Sequence, residues 1–106
     1  ANFPVLLLEY SYDPRSRADL EVATYRSAKY HVQVTNTTDS SYQVSEVMLV
    51  HNGTTSNINE YGLVYSDSPL ADVKTDVSGG NARVILNNVG DSDNYTVNVA
   101  VKALTT

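Results

Sequence analysis

Apolar and polar residues alternate along most of this chain with a period of two, the signature of half-buried strands. Tyr30, Val32 and Val34 alternate with Lys29, His31, Gln33 and Thr35. Ala71, Val73, Thr75 and Val77 alternate with Asp72, Lys74 and Asp76. Val84 and Leu86 oppose Arg83 and Ile85, and Tyr95, Val97, Val99 and Val101 form one uninterrupted apolar row. Between these segments lie turn-forming clusters: Asn36 to Ser41, Asn52-Gly53, Asp67-Ser68-Pro69, Gly79-Gly80 and GDSDN. Asn-Gly predicts a two-residue type I′ hairpin, because both residues tolerate positive φ. The returning strand covers 56 to 66, with Gly62 read as a bulge or a site of close packing.

The N-terminal half is less regular. FPVLLLEYSY (3–12) reads as a strand or an extended arm, and Asp13 to Ser16 as a turn. ADLEVATYRSAKY (18–30) reads as a short strand followed by an irregular or one-turn helical step around Ala23 to Ala28. Turns every 8 to 12 residues without intervening helices predict an all-β fold. The expected architecture is an antiparallel β-sandwich of about seven to eight strands, immunoglobulin-like or jelly-roll-like. Residues 1–12 would form an arm or edge strand and 13–106 a single sandwich domain.

Composition narrows the chemistry. With 106 residues the chain suits one modest core, and the absence of Cys excludes disulfides and thiolate metal sites. The net charge of −5 and the scatter of Lys and Arg argue against nucleic acid. The longest apolar run near the start, Val5 to Leu8, is far too short for a membrane span. The opening residues show no basic leader, which reads as a protein made in the cytoplasm, with an excised domain equally open.

SEVMLVHNG (45–53) raises an acid–base question. Glu46 and His51 lie five residues apart, so on a strand they point to opposite faces. Glu46 shares parity with Val44, Met48 and Val50, and therefore reads as a carboxylate on an apolar face that needs a cation. Arg26, Lys29 and Arg83 are the candidates. His51 reads as a turn-stabilising or surface residue beside Asn52 and Gly53. On this reading Glu46→Ala destabilises the fold more than His51→Ala. Neither His31 nor His51 has metal-ligand spacing, and no cofactor is expected. Asp91-Ser92-Asp93-Asn94 resembles part of a calcium loop but lacks its glycine and distant Glu, so it reads as a turn. The triplets at Asn36, Asn52 and Asn94 also read as turns. Eight Tyr with one Phe and no Trp suit protein contacts or sugar stacking, but also half-buried strand positions.

YRSAKYHVQVT, YQVSEVMLVHNGTT, NEYG and the GG-bounded turn before ARVIL together resemble a β-sandwich module of virion structural proteins of tailed bacteriophages, in particular marine and cyanobacterial myovirus-like phages. The likeness covers roughly residues 19 to 103, and its phrases are AKY-x-V-Q-V and E-x(4)-H-x-G. It implies a non-enzymatic head-decoration, neck, tail or fibre component, assembled in the host cytoplasm and located in the virion. Its partners would be other virion proteins and copies of itself, with neither nucleic acid nor membrane. A receptor- or carbohydrate-binding module of a tail fibre, with a glycan partner, is the alternative, and a hydrolase or metalloenzyme a distant third. On this resemblance the apolar arm, with Phe3, Val5, Leu6, Leu7, Leu8 and Tyr10, would dock on a neighbouring subunit.

Overall fold

The computed structural model describes the backbone of residues 5–12, 17–88 and 93–106, and the side chains of residues 19–86 and 93–106. The described residues form eight strands: β1 (Val5–Tyr12), β2 (Arg17–Glu21), β3 (Tyr25–Asn36), β4 (Ser41–His51), β5 (Ser56–Tyr65), β6 (Ala71–Ser78), β7 (Asn81–Asn88) and β8 (Tyr95–Thr105). They build two antiparallel sheets, one in the order β1-β8-β3-β4-β5 and one in the order β2-β7-β6. The fold is an all-β sandwich. The chain changes sheet at β1–β2, β2–β3, β5–β6 and β7–β8, so the connections at both ends tie the layers together.

The core is the set of side chains that alternation turns inward. β3 contributes Ala28, Tyr30, Val32 and Val34, β8 contributes Val97, Val99, Val101 and Ala103, and β7 contributes Ala82, Val84 and Leu86. Register aligns these rows, with Tyr30 opposite Val101, Val32 opposite Val99, and Val34 opposite Val97. β-Branched side chains dominate because they fit a pleated surface covered by a second sheet.

Several elements differ from the sequence expectation. The stretch read as an irregular or helical step is a turn over residues 22–24, after which β3 begins at Tyr25. Irregularity survives there only as a shift in the β3–β8 register between Tyr25 and Ser27. Asn52-Gly53 does not form a two-residue turn, because His51 pairs with Ser56 and leaves a four-residue loop. Only Gly53 has positive φ in that loop (100°), while Asn52 acts through its side chain. Asn52 Oδ1 accepts from the backbone N–H groups of Thr54 (3.0 Å) and Thr55 (2.9 Å), and Asn52 N donates to Thr55 O. The two-residue turn with two positive φ values is instead Gly79-Gly80 (59° and 81°), closing Ser78 onto Asn81.

Gly62 lies at a bulge. Val44 pairs with Val64 and Glu46 with Tyr61, so Ser45 alone faces both Gly62 and Leu63. The segment expected as an arm runs, from Val5 to Tyr12, as an edge strand of the chain's own larger sheet. It is paired with β8 from Val5 opposite Leu104 to Tyr12 opposite Val97. Phe3, the turn at Asp13 to Ser16, and Asp91 and Ser92 lie outside the described residues.

The Gly79-Gly80 turn yields a direct expectation. Gly80→Ala places a Cβ at φ 81° and is expected to lower stability by about 1–2 kcal/mol, whereas Gly80→Asn is tolerated better. Urea unfolding of the two variants checks this.

Candidate functional site

The inward face of β4 carries Ser41, Gln43, Ser45, Val47, Leu49 and His51, all buried. Glu46 therefore faces outward with Tyr42, Val44, Met48 and Val50, the reverse of the expected orientation. The hairpin with β3 imposes this. Asn36 pairs with Ser41, which sets Val34 opposite Gln43, Val32 opposite Ser45 and Tyr30 opposite Val47. The strongly apolar row of β3 takes the core, and the polar inward residues of β4 find partners there.

Gln43 Oε1 accepts from the backbone N–H groups of Leu70 and Ala71, and its Nε2 donates to Ala71 O at 3.4 Å. It thereby ties β4 to the start of β6. Ser45 Oγ donates to Glu60 (2.7 Å). Asn36 Nδ2 donates to Asp93 (2.9 Å), while its Oδ1 accepts from Thr38 N and Asp39 N. Asn36 is thus a buried joint, and the other triplet asparagines, Asn52 and Asn94, are exposed.

His51 is 3% exposed. Its Nδ1 accepts from Gly53 N (3.0 Å), which leaves Nε2 to donate to Tyr25 O. Arg26, offered above as a partner for Glu46, donates instead to His51 O (3.0 Å). His51, Arg26 and Gly53 together lock the β4–β5 loop onto the start of β3. Arg83 pairs with Asp76 on the smaller sheet.

The outward face of the larger sheet brings the remaining chemistry together. Its middle row crosses the strands as Ala100, His31, Glu46 and Tyr61, each opposite the next. Lys29, one position along β3, reaches Glu46 at 3.2 Å, and His31 Nδ1 lies 3.8 Å from the same carboxylate oxygen. Of the three cations considered, the structure brings Lys29 to Glu46. The pair is open to solvent, with the Glu46 side chain 30% exposed. Glu46, by hydrogen bond and then by charge, and after it Tyr61, hold the Lys29 ammonium above its ordinary pKa.

Apolar side chains flank this charged row on both sides. Toward one end a concavity of about 530 Å³ is lined by Met48, Val50 and Leu104, with Lys29, Lys102, Asn57 and Asn59 around it. Toward the other, a shallower one of about 380 Å³ is lined by Tyr42, Val44, Val64 and Tyr65 with Gln33. Met48 is 54% exposed, Val50 49% and Val64 62%, large values for apolar residues gathered on one face. Sequence parity grouped Val44, Glu46, Met48 and Val50 correctly, but Tyr61, Val64 and Tyr42 were not singled out. For Val64 the signal was the odd apolar triplet Leu63-Val64-Tyr65 after Gly62. Among the described residues no group of three or more His, Cys, Asp or Glu side chains is placed to hold a metal ion. Among the same residues no helix is long and apolar enough to cross a membrane.

No protein-family model matches the chain, and no curated protein matches it. Among solved structures it is similar to the tailspike protein gp49 from Acinetobacter baumannii bacteriophage Fri1, a capsular polysaccharide depolymerase. The identity is 18% and the TM-score 0.42, over 94% of this chain and 17% of that one. A likeness of this degree says nothing about activity or substrate.

Two expectations follow from the geometry. His51→Ala leaves the part-buried Tyr25 carbonyl and a loop N–H without their partner, and is expected to cost about 1–3 kcal/mol in urea unfolding. Glu46→Ala should shift the midpoint far less, because its partner is solvated. This inverts the order expected from sequence. The raised pKa of Lys29 sets the sign of a pH effect. Its contribution is present in full below the ordinary value of 10.5 and fades as pH rises through the raised folded-state value. Relative to Lys29→Met, the native chain should therefore lose stability only in strong alkali, with the difference constant around neutral pH.

Proposed function

We propose that the chain is a non-enzymatic structural and assembly component of a tailed-phage particle, working through protein contacts made by the outward face of its five-stranded sheet. The supporting observation is that face itself. Met48, Val50, Val64 and Tyr42 are exposed together on paired strands, around the Lys29–Glu46 ion pair. Surfaces of this kind bury well against another protein. The setting in a particle rests on the resemblance of the YRSAKYHVQVT and YQVSEVMLVHNGTT phrases to virion modules. A decoration, neck, tail or fibre position fits that setting equally.

Docking of the segment containing Val5 to Leu8 and Tyr10 on a neighbour remains part of this proposal, now as exchange of an edge strand between copies. A glycan-binding role is the second reading. It is favoured by Tyr42 beside Gln33 and Ser66 in the shallower concavity, an aromatic side chain among polar groups that suits a sugar.

Purified particles of the phage that carries this chain should contain it in many symmetric copies, detected by mass spectrometry and by antibody labelling in the electron microscope. Its absence from particles would overturn the reading. Retention on a glycan array that is lost in Tyr42→Ala would favour the second reading instead.

A further inference from the structure

Building on the assembly reading, we infer that the outward face of the five-stranded sheet is a two-fold contact between two copies of this chain, packed sheet on sheet. The outward row of β4 reads the same in both directions in chemical terms: Tyr42 and Val44, then Glu46, then Met48 and Val50. A two-fold axis across the strands at Glu46 lays β4 antiparallel on its counterpart. Tyr42 and Val44 of one copy then meet Met48 and Val50 of the other. An isologous contact requires such self-complementarity, and a face evolved for an unrelated partner does not.

The neighbouring strands extend the match. The same axis turns the shallower end, where Val64 stands out, onto the deeper concavity lined by Met48, Val50 and Leu104. Exposed apolar side chains thus enter the hollow that has room for them. At the centre, two Glu46 carboxylates come together bracketed by two Lys29 ammonium groups, one from each copy. The carboxylates are countered within the contact, and Lys102, opposite Lys29 on β8, adds a further positive charge from each copy, so the contact does not inherit the net −5 of the chain.

The area suffices. Four strands spaced ~4.8 Å apart and about ten residues long cover roughly 600 Å² per copy, or ~1,200 Å² in total, the lower end of specific interfaces. The described residues of the smaller sheet offer no such surface. Its outward positions are Asp19, Glu21, Asp72, Lys74, Asp76 and Arg83, with Ile85 the apolar residue among them.

Sedimentation and light scattering of the full chain, from low to high micromolar concentration, test the inference. The native chain is expected to dimerise. Met48→Asp should raise Kd about tenfold or more with unchanged thermal unfolding of the monomer. Lys29→Glu and Glu46→Lys should each weaken the dimer, and the double exchange Lys29→Glu/Glu46→Lys should restore it. A native chain that stays monomeric, or a dimer indifferent to Met48→Asp, overturns the two-fold contact. A strictly monomeric chain still found in particles would refute self-pairing alone and leave the assembly reading standing. Absence from particles would refute that reading and leave a measured dimer intact.

Discussion

The β3–β4 hairpin register is the constraint on which the rest of this molecule depends. Once Asn36 closes onto Ser41, every outward and inward assignment along both strands is set, because a slip of one residue would exchange the faces. The all-apolar row from Ala28 to Val34 takes the interior, and β4 must accept a buried row in which four of six residues are polar. The exposed Met48 and Val50 are the other side of that same choice.

Polar residues driven inward become fasteners. Gln43 holds the opening of β6, Asn36 joins the neighbouring turn to Asp93, and His51 binds both the start of β3 and its own loop. Each satisfies backbone groups that a loop would otherwise leave without a protein partner. The interior is therefore apolar in its middle and hydrogen-bonded at the strand ends, where connections enter and leave.

Much of the fold was legible from alternation alone: β3, β6, β7 and β8 lie where their apolar rows put them. Glu46 was misjudged for a physical reason. Parity tells which residues share a face, but not which face meets the core, and a count of apolar residues on β4 favours the wrong one. Carrying the pairing across the turn at 37–40 from the unambiguous row of β3 would have decided it. Asn52-Gly53 was misread because its dihedral preference suggested a tight turn. The side-chain acceptor of Asn52, satisfied by Thr54 and Thr55, favours the longer loop. On the outward face only the β4 row of Val44, Met48 and Val50 follows from parity, whereas Val64 on β5 and Leu104 on β8 join it only through the register.

The bulge at Gly62 bears on how this protein behaves when crowded. β5 is a border strand without Pro or Lys, and a straight border of that composition would template the addition of further strands without limit. The extra residue breaks the even spacing of main-chain donors and acceptors halfway along and increases the local twist. Addition of a further strand at this rim is thereby discouraged, although the outward face beside it stays apolar.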